Sequence, residues 1–94
     1  MAARRQEKPN DYSFMADEWQ PLIDMYRLTI DDDKIVIPLN PDYGVLHNDG
    51  VIRFDDIAKI SVDRAFINIF VRDGYLFSFY RGEPLLTCTR NTSL

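Results

Sequence analysis

The residues best able to do chemistry in this chain are scattered. His47 is the only histidine and lies in the stretch VLHNDG, beside Asn48 and Asp49. Acid–base or nucleophilic work needs a carboxylate or nucleophile held within hydrogen-bond reach of the ring. The spacing around His47 identifies none and predicts a surface-loop histidine. Asp31, Asp32 and Asp33 are consecutive, which suggests a cation site. Neighbouring strand residues point to opposite faces, however, and the D-x-D-x-D-G spacing of a calcium loop is absent. The run reads as a hairpin loop, and Asp55-Asp56 inside RFDDIAK reads as a strand bend. Cys88 stands between Thr87 and Thr89 with no histidine near it in sequence, as a half-buried strand cysteine. A single cysteine excludes an internal disulfide and a cysteine-rich zinc site. There is no G-x-S-x-G elbow, P-loop or dinucleotide fingerprint. The expectation is a protein that is not an enzyme, with no cofactor and no metal.

Charge is more informative than its net value of −4. Residues 11–63 carry twelve acids against Arg27, Lys34, Arg53 and Lys59, whereas both flanking segments are net basic. Two readings follow. Most of the acids are Asp, whose short side chain bonds nearby backbone amides and so shapes turns. Alternatively, Asp31, Asp32, Asp33, Asp42, Asp49, Asp55 and Asp56 form an acidic binding surface that steers a basic partner. Phosphate repulsion argues against direct binding of nucleic acid. No run of apolar residues is long enough to span a membrane. The N-terminal MAARRQEKPN lacks the apolar segment of a secretory signal. A cytoplasmic protein without membrane association is therefore expected.

These residues must be positioned by a chain of 94 residues, enough for one domain with a thin core. Residues 1–11 read as a mobile polar tail, 12–90 as a single β-rich domain and 91–94 as a C-terminal tail. SFMADEWQ suits a short helix that Pro21 ends or kinks. LIDMYRLTI suits a strand by its β-branched and aromatic content, with a helix as the alternative. DDDK between YRLTI and IVIPL marks a hairpin, and Pro38 suggests that its second strand lies at an edge. VIRF and IAKISV form one bent strand or two short ones. Asp73-Gly74 between AFINIFVR and YLFSFYR is the clearest hairpin signal in the chain, and LLTC adds a last short strand. The fold class is mainly β: a small antiparallel curved sheet or partly open barrel with a short N-terminal helix.

A two-residue Asp73-Gly74 turn would pair Arg72 with Tyr75 and Phe70 with Phe77. One face of the hairpin, with Ile67, Ile69 and Val71 against Leu76, Ser78 and Tyr80, would then be the aliphatic one that suits the core. The other would carry Phe66, Asn68, Phe70, Tyr75, Phe77 and Phe79. Five aromatic rings on one face require a cover. Three candidates follow: the N-terminal helix through Phe14, Met15 and Trp19, a second copy in a symmetric dimer, or another protein.

Two resemblances bear on the hairpin. RDGYLFSFY partly resembles the second signature of RNA-recognition motifs through Gly74, Tyr75, Phe77 and Tyr80. Asp73 replaces a basic residue there and Leu76 a small one. More broadly, YRLTIDDDKIVI, then VIRFDDIAKISV with Ile52, Phe54, Asp56, Ile57 and Ile60, then FINIFVRDGYLFSF resemble small bacterial pleckstrin-homology-like domains over residues 24–82. That resemblance implies a binding scaffold, and Arg64, Arg72 and Arg81 would be its basic pocket for a lipid or other ligand. The residues themselves point to a non-enzymatic acidic protein that binds a protein with a basic surface stoichiometrically. One concrete version is an inhibitor that occupies a nucleic-acid-binding site on its target, as small phage anti-defence proteins do. A structural or assembly homodimer is the remaining alternative.

Overall fold

The Ala65–Gly82 region folds as the predicted hairpin, but with a different turn. In the computed structural model, which describes residues 16–90 (side chains from 19), β5 (Phe66–Val71) and β6 (Tyr75–Tyr80) flank a three-residue loop, Arg72-Asp73-Gly74. Gly74 N donates to Val71 O at 3.0 Å, and Gly74 adopts φ 91°. This is the three-residue hairpin in which a left-handed glycine closes the turn. The register that follows pairs Ile67 with Phe79, Ile69 with Phe77 and Phe70 with Leu76. It is one residue away from the pairing expected of a two-residue turn. A one-residue slip moves every side chain of one strand to the other face. Phe77 and Phe79 therefore join Ile67, Ile69 and Val71 on a single buried face, and all five are nearly or wholly excluded from solvent. The six-residue aromatic face expected from sequence does not form: Tyr75, Phe77 and Phe79 face inward, and Phe66, Asn68 and Phe70 face outward.

The hairpin is the centre of a four-stranded antiparallel meander with β4 (Ile57–Val62) on one side and β7 (Leu86–Arg90) on the other. A second antiparallel sheet has three short strands, β1 (Thr29–Ile30), β2 (Lys34–Val36) and β3 (Val51–Arg53). Among the described residues the fold is thus mostly β, with two sheets and no closed barrel. The expected Asp31–Asp33 hairpin is present between β1 and β2. VIRF and IAKISV are two strands, one in each sheet, divided by a 3-10 turn at Phe54–Asp56. That turn ties the sheets together: Phe54 N donates to Asp33 O, and Asp56 O accepts from Arg72 N at 2.8 Å. Pro38 does not mark an edge. β2 is the central strand of its sheet and ends at Val36, before the proline.

Residues 22–26 are helical rather than extended. α1 (Ala16–Tyr26) runs through Pro21, which neither ends it nor keeps LIDMY in a strand. Trp19, Leu22, Ile23 and Tyr26 recur at helical spacing, and burial of that stripe against the sheets outweighs the β-propensity of the segment. Arg27, at φ 56°, ends the helix, and Leu28 N reaches back to Ile23 O at 3.0 Å. This is the six-to-one bond of a Schellman cap, with Leu28 buried beyond it. Tyr26 is fully buried, and its hydroxyl sits at the mouth of the β6–β7 ladder. It accepts from Leu85 N at 2.8 Å and has Tyr80 O at 2.8 Å as an acceptor. One phenol thus anchors the helix to the sheet and bridges Leu85 N and Tyr80 O, beside the direct bond from Tyr80 N to Leu85 O.

The core combines this helix with Ile35 and Ile52 of the smaller sheet, the inner face of the larger sheet, and Ile37 and Leu46 from the connecting loop. Trp19 belongs to that core, on the inner side. Phe14 and Met15, the other residues expected to cover an aromatic face, and both expected tails lie outside the described residues.

Candidate functional site

The acidic residues do not form one surface. β2 and β3 pair Lys34 with Arg53 at one end and Val36 with Val51 at the other. Asp31, Asp32 and Asp33 lie beyond the Lys34 end, and the Phe54–Asp56 turn brings Asp55 and Asp56 to the same end. Asp49 precedes β3 at the opposite end, and Asp42 lies in a 3-10 turn at Pro41–Tyr43. Cations are built into the first group. Lys34 Nζ lies 3.3 Å from Asp31 and 3.5 Å from Asp33, and Arg53 lies 3.6 Å from Asp33. The hydrogen bond to Asp31, then the charges of Asp33 and Asp31, hold the Lys34 ammonium above its ordinary pKa. The net acidity of that end therefore rests on Asp32, Asp55 and Asp56. Asp49 and Asn48 instead shape a left-handed turn, both with positive φ, before Gly50. A Cβ on Gly50 would meet Ile37 O at 2.8 Å, so the turn needs glycine there.

The arginines expected to form a basic pocket are also divided. Arg64 and Arg81 lie at one end of the larger sheet, where Arg81 N donates to Ala65 O and its guanidinium to Asp63 O. Arg72 lies at the other end of β5, with Nε donating to Asp55 O at 3.0 Å.

The outer face of the larger sheet is the surface that the register creates. Phe66 and Tyr80 face each other across the strands with ring centroids 5.4 Å apart, and Phe70 faces Leu76. Between these pairs Ser78 Oγ donates to Asn68 Oδ1 at 2.8 Å. Lys59 on β4 lies over the Phe70 ring at 5.5 Å, and Thr87 and Thr89 of β7 are exposed. The four large side chains are half-buried, and the packed core lies on the reverse side of the same strands. Phe70 and Leu76 lie at the end nearest Asp55, Asp56 and Asp73. Leu76 and Tyr80 could not be placed here from an Asp-Gly signal alone. The cue that places them is the paired burial of Phe77 with Ile69 and Phe79 with Ile67, which only the three-residue turn permits.

A third group has no counterpart in the sequence pattern. The His47 ring stacks on Tyr75 with centroids 3.9 Å apart and planes within 14°, and His47 Nε2 lies 3.2 Å from Asp73 Oδ2. Arg90 donates to the Tyr75 hydroxyl at 2.8 Å and lies over its ring. His47 N donates to Cys88 Sγ at 3.5 Å. His47 is therefore not a free loop residue; it latches the 47–50 turn onto the hairpin. Burial pushes the Cys88 thiol above its usual range. That is the opposite of what an activated nucleophile needs. Among the described residues, no group of His, Cys, Asp and Glu is arranged to hold a metal ion, and no helix is long and apolar enough to cross a membrane.

Comparison with protein-family models, curated proteins and solved structures finds no match.

Proposed function

We propose that the protein acts by binding another protein stoichiometrically, through the outer face of the four-stranded sheet. The observation that supports this reading is the face itself: Phe66, Phe70, Leu76 and Tyr80, half-buried around the Asn68–Ser78 hydrogen bond, on the side of the sheet away from the core. Aromatic anchors on a rigid sheet are the kind of residue that dominates binding energy at interfaces. The acidic residues Asp55, Asp56 and Asp73, at the Phe70–Leu76 end of this face, give the surface a direction and select a partner with a basic patch. An inhibitor that occupies a basic nucleic-acid groove is the version of this function that uses both features.

The test uses the folded chain as bait and the captured partner in purified form. Phe70→Ser with Leu76→Ser abolishes capture while the circular dichroism spectrum is retained. Neutralising Asp31, Asp32 and Asp33 to Asn slows association at low salt and flattens its salt dependence. Capture unchanged in both variants refutes the reading.

A further inference from the structure

The two outer edges of the larger sheet differ in how they are guarded. Open edges template the addition of further strands, and proteins usually blunt them with bulges, lysines, prolines or brevity. On the β4 edge the register breaks between Ile57 and Lys59, and Lys59 is exposed. In the smaller sheet the edge strands β1 and β3 have only two and three residues. β7 has none of these protections. Its five residues, LTCTR, keep an unbroken register with β6 and contain no lysine, proline or acid. Its one charge, Arg90, is exposed but engaged along the sheet: the guanidinium donates to the Tyr75 hydroxyl and lies over its ring.

The backbone parity of this edge is fixed. Tyr80 N donates to Leu85 O, so Leu85, Thr87 and Thr89 direct their backbone groups toward β6. Leu86, Cys88 and Arg90 direct theirs outward, and none of these has a backbone partner among the described residues.

We infer that β7 pairs antiparallel with the β7 of a second copy of this chain, about a two-fold axis at Cys88. The inference is independent of the outer-face reading. Self-pairing in this register uses every residue of the strand. Cys88 faces the partner's Cys88, and Leu86 faces the partner's Arg90, so the outward N–H and C=O groups of each copy satisfy those of the other. On the outer face Thr87 falls opposite the partner's Thr89, and the same pair recurs on the other side of the axis. Cross-strand threonine pairs are favourable, and no like charges meet. Two four-stranded sheets would join into one continuous sheet, an isologous contact that closes after one addition.

Cys88 also supplies the probe. Cα atoms of a directly hydrogen-bonded antiparallel pair lie about 5.5 Å apart, within the span of about 4.4–6.8 Å that a disulfide bridges. Diamide, by accepting two electrons and two protons from the thiol pair, would join the copies covalently. The expected result is a native mass of twice the 11.0 kDa chain and a Cys88–Cys88 disulfide on oxidation. Cys88→Pro removes an outward N–H and the Sγ that accepts from His47 N, and it places its ring in the path of the partner strand while leaving the backbone bonds to β6 intact. Thr87→Lys with Thr89→Lys sets like charges across the axis without touching the core. Both variants run at the monomer mass with unchanged β-sheet circular dichroism, and if one fails to fold the other decides. A wild-type monomer overturns the inference. So does a dimer that survives these substitutions, one that diamide does not cross-link, or one that Phe70→Ser with Leu76→Ser dissociates while Cys88→Pro does not.

Discussion

Leu76 and Phe77 are neighbours on β6, and truncating each to alanine tests the register that separates the two faces. Phe77 is wholly excluded from solvent, faces Ile69 across the strands and belongs to the same buried core as Ile67 and Phe79. Phe→Ala at such a site costs about 3–5 kcal/mol, the lost transfer energy plus an unfilled cavity. Leu76 is half-buried on the outer face opposite Phe70. Its truncation opens onto solvent, leaves no closed cavity and forfeits only part of a full burial value of roughly 1.5–3 kcal/mol, so about 1 kcal/mol is expected. A domain of this length has a total stability of roughly 5–14 kcal/mol. Phe77→Ala therefore removes a large share of it and Leu76→Ala a small one. In midpoint terms the shifts are about 4–8 °C for Leu76→Ala and more than about 12 °C for Phe77→Ala. Urea unfolding followed by the fluorescence of Trp19, the only tryptophan, measures both. An unchanged m-value shows that the unfolded reference has not moved. The two-residue-turn register predicts the reverse order, with Leu76 in the core. Leu76→Ala costing as much as Phe77→Ala would refute the face assignment and the outer-face binding proposal with it.

Three further outcomes follow from two polar side chains, Tyr26 and the half-buried Cys88. Tyr26→Phe strands Leu85 N–H and removes the donor to Tyr80 O, for a loss of about 2–3 kcal/mol; a loss in urea below about 0.5 kcal/mol would show that the phenol does not close the ladder. Burial also raises the Tyr26 pKa above its ordinary value of 10.0. The unfolded chain then releases this proton first, so the stability the phenol contributes is complete below that pH and is lost as pH climbs toward the folded-state value. The alkaline fall in stability should be shallower in Tyr26→Phe, and an equal slope in both proteins would count against the assignment. Cys88, with its thiol pushed upward by burial, should react with iodoacetamide at pH 8 more slowly than glutathione and reach the model rate only after denaturation. Equal reactivity in the native protein would mean that the thiol is not shielded.

Local patterning carries much of this fold in a form that can be read directly. Asp73-Gly74 between two β-runs specifies a hairpin, DDDK a second one, and Asp55-Asp56 a bend, because turn chemistry is decided by a few neighbouring residues. A mainly β domain with a short N-terminal helix follows from those signals. The extent of the helix is a different matter. LIDMYRLTI satisfies β-propensity and helical spacing equally well as far as Tyr26, and only the sheets that bury Trp19, Leu22 and Tyr26 decide between them.

The make-up of the outer sheet face turned on a single residue of loop length. Asp-Gly is compatible with a two-residue or a three-residue turn, and the choice sets which aromatics are core and which are exposed. Packing of Phe77 and Phe79 against Ile67 and Ile69 fixes it, a consequence of the whole inner face rather than of the turn. Likewise no spacing rule could bring His47 to Asp73 and Tyr75, or separate Arg72 from Arg64 and Arg81, since these relations cross between strands and loops far apart in the chain. The sequence alone determined the mainly β character, the turn sites and the uneven distribution of charge, because these depend on neighbours. Tertiary structure decided register, face and side-chain company, because they depend on which distant apolar groups most completely exclude water together.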